Sequence, residues 1–573
     1  MKHPIATYVL ILLLFSCGNK NTTPKTDVLK KVNVNNKGLI SISETLKKNG
    51  HLPIEKQIEL YYKLKKESPN TYNFNNEDEM TMYGYSFLWN DDIENAIEIF
   101  KLIVAEFPNS SNPYDSLGEG YMTNGNMELA LINYEKSLVM NPDNFNAEDQ
   151  IERIKFPNKK PLTPAEKFTK VYTFKEYKDD LDELGRKLMD INPNALKFIS
   201  KEKFLEVIEA KKNLINENTT FGNFIWHCSE IIASINCSHT SLGGFFQESA
   251  MINKSLVFPL QTRWVNDKLF VVDAMSNANK VNIKDEIISI NGKRVSEIIK
   301  DIYKHISSQG FVETSKKHFF NSWATEMLPY ALGFPKSYAV KIKGKENTIM
   351  LNKANAFKAP YDDTSIKRCN EDLCLEFLEH QNTAVLTVST FNFYAWNNLD
   401  VFEKFIDNSL KKIHEKKSKN LVIDLRFNGG GSPESSIYLL KYLINKPFKY
   451  FSEDEIQPNK NSYKGKLYFI IDGHGESTTG HFMSITKYLN LGTIVGEELG
   501  SNQLCTAGQT VSRLANTKLI FNVANTESRA NVTGFPDEKG ILPEHHVTQN
   551  IDDYINNIDT VKEYTFNLIN KEQ

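Results

Sequence analysis

The sequence predicts a multidomain chain in which all-α helical repeats precede an α/β core that carries an inserted β-module. Three observations support this prediction: a 34-residue repeat, short apolar strands that each run into a glycine turn and a helix, and an Asn-Gly hairpin signal. The 573 residues contain 40% apolar and 24% charged residues, which excludes wholesale disorder. The net charge of −3 argues against a nucleic-acid-binding surface over the whole chain.

The first 17 residues have the features of an export signal. An apolar run from Ile5 to Phe15 follows Lys2 and is too short for a bilayer span of ~20 residues. It ends in Leu14-Phe15-Ser16-Cys17, which resembles a bacterial lipobox. The resemblance predicts lipidation of Cys17 and a lipid-anchored protein of the bacterial cell envelope, periplasmic or on the outer-membrane surface. An ordinary signal peptide with a chance cysteine is the alternative. Residues 18–50 are polar and are interpreted as a linker.

The remaining cysteines are few and widely spaced. Cys369 and Cys374 lie five positions apart in a polar stretch and could form a disulfide in an oxidising compartment. The odd count leaves at least one thiol free. No cysteine spacing resembles a zinc site.

Residues 51–155 repeat with a period of 34. The matched pairs are Gly84 and Gly118, Glu94 and Glu128, Ala96 and Ala130, Phe100 and Tyr134, and Pro108 and Pro142. This pattern resembles tetratricopeptide repeats, with an irregular unit at 51–74 as a cap. Docking of a protein partner and a plain spacer role both remain open.

The C-terminal half alternates buried strands with glycine turns and helices. Strands are predicted at 420–425, 467–471 and 493–496, and this order favours a parallel α/β core. The triple glycine at 429–431 precedes a helix, so its amides suit an anion. Ser477 lies at the next strand-to-helix turn, where a hydroxyl is exposed; a plain N-cap serine is the alternative.

Four motifs in order resemble the C-terminal processing (tail-specific) serine peptidases, and more closely their tricorn-core and retinoid-binding-like branch. They are residues 424–431, the Ser477 turn, residues 494–497 and residues 540–544. The resemblance implies a crotonase-like α/β peptidase core with Ser477 as nucleophile. It also implies an oxyanion hole formed by the amide of Gly429 or Gly430 together with that of Thr478. Thr478 and Gly480-His481 depart from the family pattern, and Glu544 replaces its usual aspartate.

A serine nucleophile needs a base, and Lys487 is too far along the helix to serve. One branch of the family uses a Ser-His pair from an earlier subdomain, which Ser238-His239 matches. His239 is therefore the predicted base, with Ser238 as a bridge to an acid. Glu538 is the candidate acid, and Asp537 and Glu544 are rivals. His481 and His474 compete with His239.

Residues 250–350 resemble a PDZ domain, because a strand at 268–272 and a second strand lead into the turn Asn291-Gly292. The resemblance implies capture of substrate C-termini, and a closed structural β-module is the alternative. Residues 160–248 are then a helical subdomain and residues 351–565 the catalytic core. Residues 305–334 form a lid or a helical insert.

The sequence thus predicts an exported lipoprotein serine endopeptidase that acts on peptides or proteins. No metal or organic cofactor is implied. A catalytically inactive scaffold that holds peptides or lipids on the same fold is the alternative. An acyl-CoA-type enzyme on this fold would not need the Ser477 and Ser238-His239 pair.

Overall fold

The computed structural model describes residues 39–242, 252, 255–354, 369, 371–378, 382–395 and 398–572. The predicted signal peptide and Cys17 lie outside these residues. The chain divides into two compact units, residues 1–161 and residues 162–573. No helix among the described residues is both long enough and apolar enough to span a bilayer.

The first unit is helical. Its helices are α1 (Ile42–Lys48), α2 (Ile54–Glu67), α3 (Glu77–Leu88), α4 (Ile93–Glu106), α5 (Asn112–Thr123), α6 (Met127–Met140) and α7 (Phe145–Lys155). A Cβ atom on Gly84 would lie 2.5 Å from the Phe100 ring, and one on Gly118 would lie 3.0 Å from the Tyr134 ring. The same glycine-to-aromatic contact thus recurs 34 residues later, between the helices of each pair. The 34-residue period of the sequence therefore also appears in the contacts between the helices. The tetratricopeptide assignment itself stays a prediction.

The second unit contains the other helices and the strands. Its helices are α8 (Pro164–Thr169), α9 (Phe174–Ile191), α10 (Lys201–Leu214), α11 (Phe221–Ser234), α12 (Val295–Ile302), α13 (Glu313–Ala331), α14 (Leu399–Glu415), α15 (Pro433–Leu443), α16 (Thr478–Tyr488), α17 (Ile551–Ile555) and α18 (Thr560–Lys571). Its strands are β1 (Gln261–Val265), β2 (Lys268–Asp273), β3 (Glu286–Ile290), β4 (Lys293–Arg294), β5 (Ala339–Ile342), β6 (Ile349–Met350), β7 (Leu373–Leu378), β8 (Thr383–Val388), β9 (Asn420–Asp424), β10 (Lys466–Ile471), β11 (Thr493–Gly496), β12 (Leu504–Ala507), β13 (Thr510–Arg513), β14 (Ile520–Val523), β15 (Thr526–Arg529) and β16 (His545–His546).

A mixed sheet with the order β16-β11-β10-β9-β8-β7 forms the centre of this unit. Its strands are parallel except β7, which is antiparallel to β8. Side chains alternate between its faces: Leu421 and Ile423 pack with helices α14 to α16, and Val422 packs on the side of α18. The parallel α/β core and its three predicted strands are therefore confirmed.

A second, antiparallel sheet has the order β1-β2-β3-β5-β6, and β4 pairs with β3. Asn291 and Gly292 have φ values of 48° and 83° and connect β3 to β4, which confirms the predicted Asn-Gly hairpin. The likeness of this sheet to a PDZ domain stays a prediction. Residues 305–334 consist mostly of the buried helix α13, as expected for a helical insert.

The helices at 164–234 share one hydrophobic core with the hairpin β13–β14. Phe221, Phe224 and Ile231 on α11 belong to the same buried cluster as Leu519 and Phe521. Through this shared core, the end of α11 packs against the C-terminal part of the chain. This packing places residue 239 near residue 477.

Cys369 and Cys374 form a disulfide, as the sequence predicted. Cys228, Cys237 and Cys505 are buried thiols outside this disulfide.

Candidate active site

Ser477 occupies a strained turn between β10 and α16. It is the residue before the helix, with φ 55° and ψ −123°, and its side chain makes no capping hydrogen bond. A non-glycine residue in such a conformation costs ~1–3 kcal/mol and persists only where its surroundings enforce it. The plain N-cap role is therefore excluded, and the hydroxyl is presented outside the helix.

The triple-glycine loop lies directly against this turn. A Cβ atom on Gly430, whose φ is +95°, would lie 2.7 Å from the Ser477 Cβ and 3.0 Å from the Thr478 nitrogen. The Gly430 N–H donates to Asn428 Oδ1 at 2.9 Å, which argues against this amide as an oxyanion donor. No described residue accepts a hydrogen bond from the N–H of Gly429 or Thr478. The structure therefore supports Gly429 over Gly430, together with Thr478.

The segment that carries His239 is fastened to the strands beyond Ser477. Ser241 and Asn522 exchange backbone hydrogen bonds of 3.0 and 2.8 Å. The Ala524 N–H donates to Thr240 Oγ1 at 3.0 Å, and Gln509 Nε2 donates to the His239 carbonyl at 3.0 Å. Together, these bonds fix the backbone from His239 to Ser241.

Ser238 connects His239 to the residue before the nucleophile. Ser238 Oγ lies 3.3 Å from His239 Nδ1. Burial raises the pKa of the Glu476 carboxyl to about 7, and the nearby His474 together with a hydrogen bond from the Ser238 hydroxyl partly opposes this shift. Ser238, His239 and Glu476 therefore meet beside Ser477, although about two-fifths of the chain separates the two segments.

The Ser477 hydroxyl itself is bonded to a cysteine. Cys505 Sγ lies 3.6 Å from Ser477 Oγ, and burial raises the pKa of this thiol to about 12, so it stays protonated and donates. No hydrogen bond joins Ser477 to a histidine of the described residues. In structures without substrate, catalytic hydrogen bonds are often long or unformed.

The three candidate histidines have different surroundings. Burial lowers the pKa of His239 to about 4, so its ring is neutral at pH 7 and able to accept a proton. Burial also lowers the pKa of His481 to about 4, but that ring is enclosed by Tyr450 and Phe451 with centroid distances of 6.1 and 5.1 Å. His474 stacks on Phe427, 4.5 Å away. Of the three histidines, only His239 lies next to a serine hydroxyl, that of Ser238, which in turn interacts with Glu476 in the Ser477 turn.

Residues 382–547 match the sequence model of peptidase family S41. This match covers β8 to β16 and includes the glycine loop and Ser477. Residues 382–547 form an S41 peptidase domain. The chain is therefore a serine-type peptidase, and the predicted family resemblance is confirmed.

Several solved structures resemble the chain at low identity. Mature CPAF complexed with lactacystin is 14% identical, covers 69% of this chain and 98% of its own, and has a TM-score of 0.48. The photosystem II D1 C-terminal processing protease is 11% identical over 65% of this chain and 93% of its own, with a TM-score of 0.32. The tricorn protease is 15% identical over 74% and 39%, with a TM-score of 0.31. The search of curated proteins found no match.

The acids predicted from the sequence lie elsewhere in the S41 domain. Asp537 pairs with Arg529 at 2.7 Å, and this ion pair lowers the pKa of Asp537 to about 2. Glu544 accepts the Ile494 N–H at 2.7 Å. The Glu538 carbonyl accepts the Phe311 N–H at 2.8 Å, but its carboxylate bonds no described residue. The carboxyl group beside Ser238 is that of Glu476, which the sequence analysis missed because only its adjacency to Ser477 marks it.

Replacing Glu476 with glutamine is expected to change how the stability of the S41 domain depends on pH. Because burial raises the folded-state pKa of Glu476 to about 7 from its usual 4.5, the stability that this carboxyl contributes is fully present below pH 4.5 and is lost as pH rises through 7. Glu476→Gln should remove that loss. The difference in melting temperature between variant and parent should therefore grow in favour of the variant from pH 5 to pH 8. A constant difference over this range would contradict the assigned burial.

Proposed function

We propose that this S41 peptidase is an endopeptidase of the tail-specific type that uses Ser477 as nucleophile and His239 as base. Ser477 Oγ attacks the carbonyl carbon of the scissile peptide bond while His239 removes the hydroxyl proton. His239 then donates this proton to the leaving amine, and a water molecule, activated by the same ring, hydrolyses the acyl-enzyme. The observation that supports this proposal most is the strained Ser477 turn, which presents a hydroxyl beside the amides of Gly429 and Thr478.

The surroundings of the nucleophile fit each step. The two amides supply donors for the oxyanion of the tetrahedral intermediate, where the loss of one donor typically costs ~10²–10³ in rate. The neutral His239 ring is ready to accept a proton at pH 7. Ser238 and Glu476 are proposed to orient that ring. We expect substrate binding to shift the Ser477 hydroxyl from Cys505 towards His239.

The remaining parts of the proposal concern location and substrate delivery. The lipobox-like Leu14-Phe15-Ser16-Cys17 supports anchoring to the bacterial envelope, and the disulfide of Cys369 and Cys374 suits an oxidising compartment. The antiparallel sheet β1–β6 is proposed to hold the C-terminal tail of a substrate as a PDZ domain does. The helical repeats of the first unit are proposed to dock a protein partner.

A fluorophosphonate probe, which labels an activated serine, tests the nucleophile. We expect the parent chain to be labelled and Ser477→Ala to lose all labelling, because the attacking oxygen is gone. Ser484→Ala is the matched control: its hydroxyl lies on the same helix and donates to the Gly480 carbonyl at 2.6 Å, so labelling should persist. A parent that is not labelled would favour the inactive scaffold, and labelling that survives in Ser477→Ala would assign the reaction to another residue.

A further inference from the structure

Three metal-ligating side chains converge beside the nucleophile turn, and none of them has a role in the proposed peptidase reaction. They are His318, Asp472 and His474, here called the His318 cluster. Their ring nitrogens and carboxylate oxygens all lie within 4.8 Å of one another. His318 and Asp472 are buried and His474 is half-buried.

Close packing of α13 on the turn brings these residues together. A Cβ atom on Gly473 would lie 2.5 Å from the backbone of Thr314 and 2.8 Å from the His318 ring, so only glycine allows this approach. The rings of His318 and His474 are 4.1 Å apart.

The carboxylate of the cluster is held by the backbone. Asp472 Oδ1 accepts the N–H groups of Phe427 at 3.2 Å and His474 at 3.1 Å. Its other oxygen, Oδ2, lies 3.2 Å from His474 Nδ1. The backbone donors therefore hold the carboxylate beside the His474 imidazole.

His318 also has the outer partner that metal-binding histidines usually have. His318 Nε2 lies 2.8 Å from Glu497 Oε2, and Lys317 holds the other Glu497 oxygen at 2.5 Å. A carboxylate on one ring nitrogen fixes the orientation of the imidazole and makes its second nitrogen a better ligand. Nδ1 of His318 is then the ring nitrogen on the side away from Glu497.

A cavity of about 50 Å³ borders His318 and Asp472 of the cluster. Its lining includes His318, Asp472 and Glu497, the polar side chains of Asn266 and Gln549, and the cationic residues Arg263, Lys317 and Arg426. A bound water needs roughly 10–15 Å³ of such space, so a metal-bound water has room.

We propose that His318, Asp472 and His474 bind a divalent transition-metal ion, for which Zn²⁺ is the best chemical match. Two imidazoles and one carboxylate are ligands that Zn²⁺ accepts, with water in the fourth position. Tetrahedral bonds of ~2.0–2.2 Å place two ligand atoms about 3.3–3.6 Å apart, so a pair of ligand atoms 4.8 Å apart would have to approach by about 1.2–1.5 Å on binding. The ion would tie α13 to the turn that runs from Asp472 to Ser477. This inference does not depend on Ser477 being the nucleophile.

Zinc binding by the chelator-treated full chain tests the proposal. We expect calorimetric titration with zinc chloride to show one ion per chain and the melting temperature to rise with added zinc. Glu497→Gln should weaken binding by ~10–100-fold, the usual cost of losing an outer partner. His474→Ala, which removes a ligand, should weaken it further. His414→Ala is the matched control, because His414 is an exposed histidine of the same unit outside the cluster, and its affinity should equal that of the parent.

Two results would overturn the site. The first is a parent chain that binds no zinc in this titration, whatever the variants do. The second is a folded His474→Ala that binds zinc as tightly as the parent, which would locate the ion elsewhere. As a second measurement, Co²⁺ in place of Zn²⁺ should give the visible absorption of a tetrahedral site in the parent, and this absorption should be absent from Asp472→Asn.

Discussion

Replacing His239 with alanine is expected to lower the turnover number by about 10⁴–10⁶-fold, the range seen when one member of a serine-protease triad is removed. Without the ring, the Ser477 hydroxyl keeps the thiol of Cys505 as its hydrogen-bond partner, and this thiol is protonated and cannot remove the proton. The measurement is the rate of cleavage of an unfolded protein substrate, together with the rate of fluorophosphonate labelling. Melting temperature should change little, since the loop is held by backbone bonds at Thr240 and Ser241.

His481→Ala is the control for this experiment. His481 is also a buried histidine with a lowered pKa near the site, yet it lies against the rings of Tyr450 and Phe451. Its replacement should cost stability through lost packing and leave the labelling rate of folded protein near that of the parent. The opposite outcome, with labelling lost in His481→Ala and kept in His239→Ala, would transfer the role of base to His481.

The local parts of the site could be predicted from the sequence because short-range rules decide them. An apolar run places β9 and β10 in the sheet, and the glycines that follow fix where each turn begins. The position of Ser477 before α16 follows from the same pattern. The Ser238-His239 pair is indicated only by the family resemblance. In the structure it lies at the Glu476–Ser477 turn because α11 shares a core with the hairpin β13–β14.

The parts that the sequence analysis missed depend on side chains that meet across the fold. The Gly430 N–H donates to the side chain of Asn428 and is not available to an oxyanion. A glycine triplet in the sequence does not indicate which of its amides makes such a bond. Glu476 lies beside Ser238 only because α11 ends close to the Ser477 turn. The His318 cluster joins α13 to the β10 turn, so no spacing of ligands along the chain could mark it, and the sequence predicted no metal.

Arg426 of the Asp-Leu-Arg motif has a structural role that can be separated from catalysis. Its guanidinium donates to Asp424 at 2.9 and 2.7 Å and to Asp559 at 2.8 and 2.6 Å, and all three side chains are buried. Asp559 also caps α18 by accepting the Lys562 N–H at 3.0 Å. The arginine thus joins the end of β9 to the C-terminal helix, and it keeps the pKa of Asp559 below its usual value despite burial.

Arg426→Ala is expected to lower the free energy of unfolding of the second unit by ~3–5 kcal/mol, because two carboxylates would remain buried without a counter-charge. Urea denaturation followed by circular dichroism measures this loss as a lower midpoint. In the parent, the lowered pKa of Asp559 contributes stability above pH 3.8 that is lost at lower pH. Without Arg426, the two buried carboxylates favour protonation. The difference in unfolding free energy between variant and parent should therefore narrow as pH falls towards 4.

Arg529→Ala is the control. It breaks an exposed ion pair with Asp537 and should lower the free energy of unfolding by no more than ~1 kcal/mol. Equal losses of unfolding free energy in the two variants would show that the buried ion pairs of Arg426 stabilise this fold no more than an exposed pair does.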